Sequence, residues 1–125
     1  MNIDDITTLK SMKLFHGSKT LFSTFDIGTV NSNGFGHGMG FHFVNEMSLA
    51  RQYAGPDGFV YVAEISVANP LIHGEEGSSR RGLNRDRVTS LGYDSYMFKQ
   101  RRYIELVIFD TSQIKVIDVI SMKDT

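Results

Sequence analysis

The chain has 125 residues, of which 41% are hydrophobic and 22% charged, with a formal net charge of −1. That fits one domain, residues 1–125, around one core, and gives no compositional sign of a nucleic-acid binder. There is no cysteine, which excludes disulfides, thiolate metal sites and a cysteine nucleophile.

No apolar run approaches the roughly 20 residues of a membrane span. The start, Met-Asn-Ile-Asp-Asp, lacks the basic and apolar regions of a signal peptide. A cytoplasmic protein is therefore expected. Twelve glycines against two prolines predict short strands and many turns.

Residues 4–12 carry a weak pattern for a first helix, with Ile6 and Leu9 spaced for one face. Residues 13–15 read as a short strand ending in His16-Gly17-Ser18. Gly17 permits a sharp turn or a close backbone approach. His16 at a strand end beside glycine is either a ligand-facing group or a hydrogen-bonded surface histidine. Residues 21–30 are irregular, with Phe22 and Phe25 as anchors. Residues 31–40 form a glycine-rich loop in which Gly34, Gly36, Gly38 and Gly40 alternate. It does not match a dinucleotide-binding loop, because it leads into a strand at 41–44 and not into a helix. It is either a flexible loop or backbone lying close to a flat ligand.

Asn45 reads as the N-cap of a helix over residues 46–54, stopped by Gly55 ahead of Pro56. Leu49 and Tyr53, four apart, share a face of it. Residues 59–67 alternate as a strand and carry Glu64. Asn69-Pro70 ends that strand. Residues 73–82 are polar and predict a surface loop. A short helix is predicted over 84–91, stopped at Gly92, then an extended segment over 93–98.

The strongest strand is 102–110, Arg-Tyr-Ile-Glu-Leu-Val-Ile-Phe-Asp. Its apolar residues fall on both parities, so both faces are covered. By alternation Glu105 shares a face with Tyr103, Val107 and Phe109. A carboxylate on a covered face is costly unless it is paired, protonated or open to a cleft, which makes Glu105 a catalytic candidate. The plain alternative is an edge-strand glutamate facing water. Glu64 is a rival, and strand periodicity does not separate the two. A turn at 110–113 and a last strand at 114–120 complete the chain. The element order predicts an α+β domain with a mainly antiparallel sheet.

Four stretches, taken in order, carry a resemblance. They are His16-Gly17-Ser18; Gly38-Met-Gly-Phe-His-Phe43; Ala50-Arg-Gln-Tyr-Ala54; and Glu105 running on through Phe109-Asp-Thr-Ser-Gln-Ile114, with Asn69-Pro70 between. This order resembles ADP-ribosyltransferases of the histidine–tyrosine–glutamate type, and most closely the small domains of phage and mobile-element polyvalent proteins. The likeness runs from about residue 14 to residue 117. It implies a split β-sandwich of two small, mainly antiparallel sheets with a few short helices, and NAD as co-substrate in the cleft between them.

It also implies roles. His16, Tyr53 and Glu105 would be the catalytic set. Gly17, Ser18, Gly40, Phe41, His42 and Phe43 would join them in holding NAD. His16 would bond the adenine-side ribose, the Gly17 backbone the nicotinamide carboxamide, and Tyr53 would stack on the nicotinamide. Glu105 would bond the 2′-hydroxyl of the nicotinamide ribose and steady the developing oxocarbenium ion.

Two positions depart from the family pattern. His42 stands where the first aromatic is usually tyrosine; a protonated histidine there would repel the cationic nicotinamide. Tyr103, two residues before Glu105, stands where arginine-modifying members carry Glu or Gln. The implied reaction is mono-ADP-ribosyl transfer from NAD to a host protein by a phage or mobile-element effector such as an anti-defence factor, with a nucleic-acid acceptor disfavoured. NAD hydrolysis, or a binding module acting through Arg80, Arg81, Arg85 and Arg87, are the alternatives. A metal site from His16, His37 and His42 is disfavoured, since the five-residue spacing of the last two suits neither one helix face nor one strand face.

Overall fold

The computed structural model describes residues 11–21, 40–72 and 85–124. Seven strands are present among them: β1 (Ser11–Ser18), β2 (Phe41–Val44), β3 (Phe59–Ser66), β4 (Pro70–Ile72), β5 (Ser95–Lys99), β6 (Ile104–Ile108) and β7 (Ile114–Ser121). Two helices accompany them, α1 (Met47–Ala54) and α2 (Arg85–Ser90). The strands form one mixed sheet in the order β4-β5-β6-β2-β1-β3-β7. All neighbours are antiparallel except β4 and β5. The fold is therefore a mostly-sheet α+β architecture.

The family resemblance implies two sheets. The ladder instead runs through a single order, but its middle is narrow. Strands β1 and β2 share one register pair, Phe15 with Val44, whereas β1 and β3 pair along their whole length, from Ser11 with Ser66 to Ser18 with Phe59. That long pairing keeps His16, Gly17 and Ser18 inside β1, beyond the end expected from local sequence. The two outer groups, β4-β5-β6-β2 and β1-β3-β7, are thus joined at one rung.

One face of the sheet builds a continuous apolar cluster that includes Leu14, Phe41, Phe43, Tyr61, Ile65 and Leu106. Burying each large side chain of this kind contributes roughly 1.5–3 kcal/mol. The other face carries two separate clusters. Val44, Ala50, Ala54 and Val60 pack beneath α1, with Phe15 and Tyr103 alongside. Val88 of α2 packs on Leu71, Tyr96, Phe98, Val107 and Phe109. Glu105 is flanked along its strand by Tyr103 of the first cluster and Val107 of the second.

Several turn residues act as the sequence predicts. Gly55 ends α1 at φ 75°, and Gly92 follows α2 at φ 95°, backbone that glycine adopts without a Cβ penalty. Pro70 opens the edge strand β4, where a missing N–H is tolerated. The turn into β7 is fixed by Asp110, which accepts from Ser112 N at 2.9 Å, while Gln113 Oε1 accepts from Asp110 N at 3.0 Å. The predicted helix over 4–12 and the basic positions Arg80 and Arg81 lie outside the described residues, apart from Ser11 and Met12, which are in β1.

Asn45 departs from expectation. Glu46 occupies the N-cap of α1 and makes no side-chain cap bond. Asn45 Oδ1 instead accepts from Ile104 N at 2.8 Å, and Asn45 N donates to Ile104 O at 3.3 Å. Its amide prolongs the β2–β6 ladder by one pair and fixes the start of the Glu105 strand. Replacement by alanine leaves the Ile104 N–H without that acceptor. Asn45→Ala is expected to destabilise the fold by about 1–3 kcal/mol in denaturant titration, and Asn45→Asp, which keeps the acceptor, by less.

Candidate functional site

A cavity of about 280 Å³ opens beside the single rung between β1 and β2. Its walls are Phe15, His16 and Gly17 of β1, His42 and Val44 of β2, Tyr53 of α1 and Glu105 of β6. Residues far apart in sequence therefore meet at one place, and that place is where the sheet ladder is thinnest.

Register explains much of the arrangement. Val44 stands opposite Glu105 and opposite Phe15. Partners in an antiparallel pair share a face, so Phe15, Val44 and Glu105 line up across three strands. His42 is two residues from Val44 and lies on the same face. Continuing the Phe15–Val44 register would set Gly17 opposite His42, but no such pair forms. The imidazole of His16 takes the place of that rung, with Nδ1 2.6 Å from the carbonyl oxygen of His42. A carbonyl only accepts, so His16 Nδ1 carries the hydrogen. The ring rests on the core side of the sheet, with its centroid 5.4 Å from that of Phe43 and 6.2 Å from that of Tyr61.

Glu105 is 8% exposed, and its Oε2 lies 3.2 Å from His42 Nδ1. The carboxylate is thus both paired and open to a cavity, two of the conditions under which a covered strand tolerates one. Glu64 is set apart from it by the tertiary structure. It is exposed, accepts from Ser11 Oγ at 3.0 Å and stands opposite Lys115 on β7.

Tyr53 is 48% exposed at the rim. Partial burial, then the nearby Glu105 and Tyr103, push its phenol above the ordinary value of 10.0, so it stays a neutral ring near pH 7. Its position follows from Gly17. A Cβ at Gly17 would lie 2.0 Å from the Ala50 carbonyl oxygen and 2.9 Å from Tyr53 Cβ. Only bare backbone lets α1 lie this close to β1.

Of the residues singled out in the sequence, His16, Gly17, His42, Tyr53 and Glu105 line the cavity. Ser18, Gly40, Phe41 and Phe43 do not. Ser18 Oγ donates to Thr20 O at 2.7 Å in a local turn. Gly40 packs against the Ile108 carbonyl, 2.2 Å from where its Cβ would stand. Phe41 and Phe43 belong to the opposite core, Phe43 beneath the His16 ring. Phe15 and Val44 were not singled out, although their even spacing from Gly17 and His42 is the signal that finds them. His37 lies outside the described residues, among which no group of three His, Cys, Asp or Glu could hold a metal. Also among them, no helix is long and apolar enough to cross a membrane.

A family model described as ADP-ribosyltransferase in polyvalent proteins matches residues 10–121. The chain belongs to this family. Membership supports ADP-ribosyltransferase activity in general, with NAD as the co-substrate such enzymes use. A solved structure described as the crystal structure of an anti-CRISPR protein is similar to this ADP-ribosyltransferase domain in fold, with a TM-score of 0.50 at 17% identity. The alignment covers 86% of this chain and 96% of that one. No curated protein matches the chain.

Two expectations follow from the geometry. Gly17→Ala must push α1 off β1 and is expected to cost about 1–3 kcal/mol in thermal or chemical unfolding, as overpacking does. Burial, which outweighs the bond to the His42 carbonyl, lowers the pKa of His16 below 6.5. The unfolded chain therefore binds a proton that folded His16 resists. Stability should fall as pH drops below about 6.5, down to the depressed folded value, by at most about 1.4 kcal/mol per pH unit. Unfolding free energies measured from pH 8 to 5 should show this limb in the wild type and a shallower one in His16→Asn.

Proposed function

We propose that this chain is a mono-ADP-ribosyltransferase that moves ADP-ribose from NAD to a protein acceptor and releases nicotinamide. The observation that carries the reading is the meeting of His16, Gly17, Tyr53 and Glu105 around one cavity, four residues whose order also supports the family resemblance.

Each group has a physical part. With its Nδ1–H committed to the His42 carbonyl, neutral His16 offers Nε2 as an acceptor for a ribose hydroxyl. Gly17 has no side chain to keep the nicotinamide carboxamide from the β1 backbone. Tyr53 presents a neutral ring at the rim, suited to stacking on nicotinamide. Glu105 accepts from the 2′-hydroxyl of the nicotinamide ribose.

In the reaction the bond between C1′ and the nicotinamide nitrogen breaks, and its electron pair leaves with neutral nicotinamide. Positive charge then gathers on the ribose ring. A fixed carboxylate in a partly desolvated wall stabilises that charge more than it stabilises bound NAD, which lowers the barrier. The acceptor nucleophile bonds to C1′ and gives up a proton. Tyr103 in place of an acidic or amide residue argues against arginine as that acceptor. Family membership and the fold shared with an anti-CRISPR protein support a phage or mobile-element effector acting on a host protein in the cytoplasm.

The test is incubation of tagged NAD with host-cell lysate and the protein, with nicotinamide measured in the same tubes. Wild type is expected to label a discrete acceptor, and Glu105→Gln to lose about two to three orders of magnitude in rate while unfolding at a similar temperature. Undiminished labelling by Glu105→Gln would sink the reading. Nicotinamide release in wild type without any labelled acceptor would assign the cavity to NAD hydrolysis instead.

A further inference from the structure

We propose that His42 is a positioning residue that sets Glu105 and His16 relative to each other across the junction of the sheet. The proposal rests on the functional reading just given and concerns a residue that the reading leaves without a task of its own.

Strand β2 lies between β1 and β6, so among the described residues it is the strand that pairs with both the strand of His16 and the strand of Glu105. His42 makes contact there through both its backbone and its side chain. Its backbone carbonyl accepts from His16 Nδ1 at 2.6 Å, a contact that any residue at this position provides. Its side-chain Nδ1 lies 3.2 Å from Glu105 Oε2, a contact that depends on the side chain. An ionised carboxylate only accepts, so the ring must carry its hydrogen on Nδ1.

Glu105 has need of such a donor. It projects from the sheet between two apolar clusters, flanked by Tyr103 and Val107. A carboxylate there is free to rotate about its terminal torsion unless a fixed donor holds one oxygen. With Oε2 held by His42, Oε1 is directed by geometry and not by solvent. This accounts for histidine at a position where the family pattern has tyrosine. Imidazole Nδ1, one bond from Cγ, can reach a carboxylate on the adjacent strand while the ring stays against the cavity wall.

Among the described residues, the charged and titratable groups that line the cavity with His42 are Glu105 from β6, His16 from β1 and Tyr53 from α1. What the positioning role needs is a donor on the Nδ1 side of the ring, and an amide donor there should serve in its place.

Two measurements test this. In the first, nicotinamide release is followed for wild type, His42→Phe, His42→Asn and Glu105→Gln. Phenylalanine keeps the ring and removes the donor; asparagine keeps a donor near the place of Nδ1. His42→Phe should lower kcat about tenfold to a hundredfold with less change in KM for NAD, and His42→Asn should recover most of the loss. Equal kcat in wild type and His42→Phe, or equal impairment of two folded variants, would overturn the proposal.

The second needs no turnover. Imidazole nitrogen NMR of the wild-type protein should show His42 as the Nδ1–H tautomer, with a mixture in Glu105→Gln. An Nε2–H tautomer in wild type would overturn the proposal by itself. If wild type released no nicotinamide, the enzymatic reading would fail, while the tautomer would still decide whether His42 holds Glu105.

Discussion

Everything in this molecule turns on the single rung between Phe15 and Val44. Strands separate only at a cost, because each buried N–H and C=O given up by the ladder needs another partner. Here the cost is met locally. Where the next rung would fall, the His16 imidazole takes the His42 carbonyl. The same atoms that let the two halves part thus fix a histidine at the mouth of the gap. The cavity is not carved into a finished sheet; it exists because pairing stops.

The gap would serve little purpose if its walls could wander. On one side α1 is pressed onto β1 at Gly17, so that Tyr53 comes from a helix seated directly on the sheet. On the other, Asn45 extends β2 against the first residue of β6. Glu105 follows one residue later. Two apolar clusters, one under each helix, leave a seam between them on this face, and the carboxylate occupies that seam. Separately packed walls that hold the carboxylate and its histidine partner between them are what preorganised electrostatics requires.

Much of this was legible in the sequence because it is local. The run at 41–44 matches β2, and the alternation at 59–67 and the last strand at 114–120 match β3 and β7 to within a residue. Gly55 and Gly92 end their helices as read, since a positive φ is a property of the residue itself. The placing of Glu105 on the face of Tyr103 and Val107 followed from strand parity alone. What was not legible depends on partners distant in the chain. The extent of β1 is set by β3. Asn45 carries the composition of a helix cap, yet a backbone N–H about sixty residues away claims its side chain. Glu64 and Glu105 look alike in their strands and differ only in what crosses them, Lys115 in one case and Val44 with its histidine neighbour in the other. Phe41 and Phe43 lie next to His42 in sequence, but the pleat sends them to the opposite core.

The narrow middle also bears on how the molecule holds together. His16 and Glu105 stand on opposite banks of a junction that backbone pairing bridges once among the described residues. A ligand that touches both ties the banks where the ladder does not, and whatever free energy it gains there is added to the cohesion of the whole sheet. In mechanical language the unliganded sheet is a hinge with one pin, and an occupied cleft is the same hinge with two. On the function proposed here, substrate would be part of the scaffold for as long as it is bound, and its cleavage would withdraw that support at the moment the products must leave.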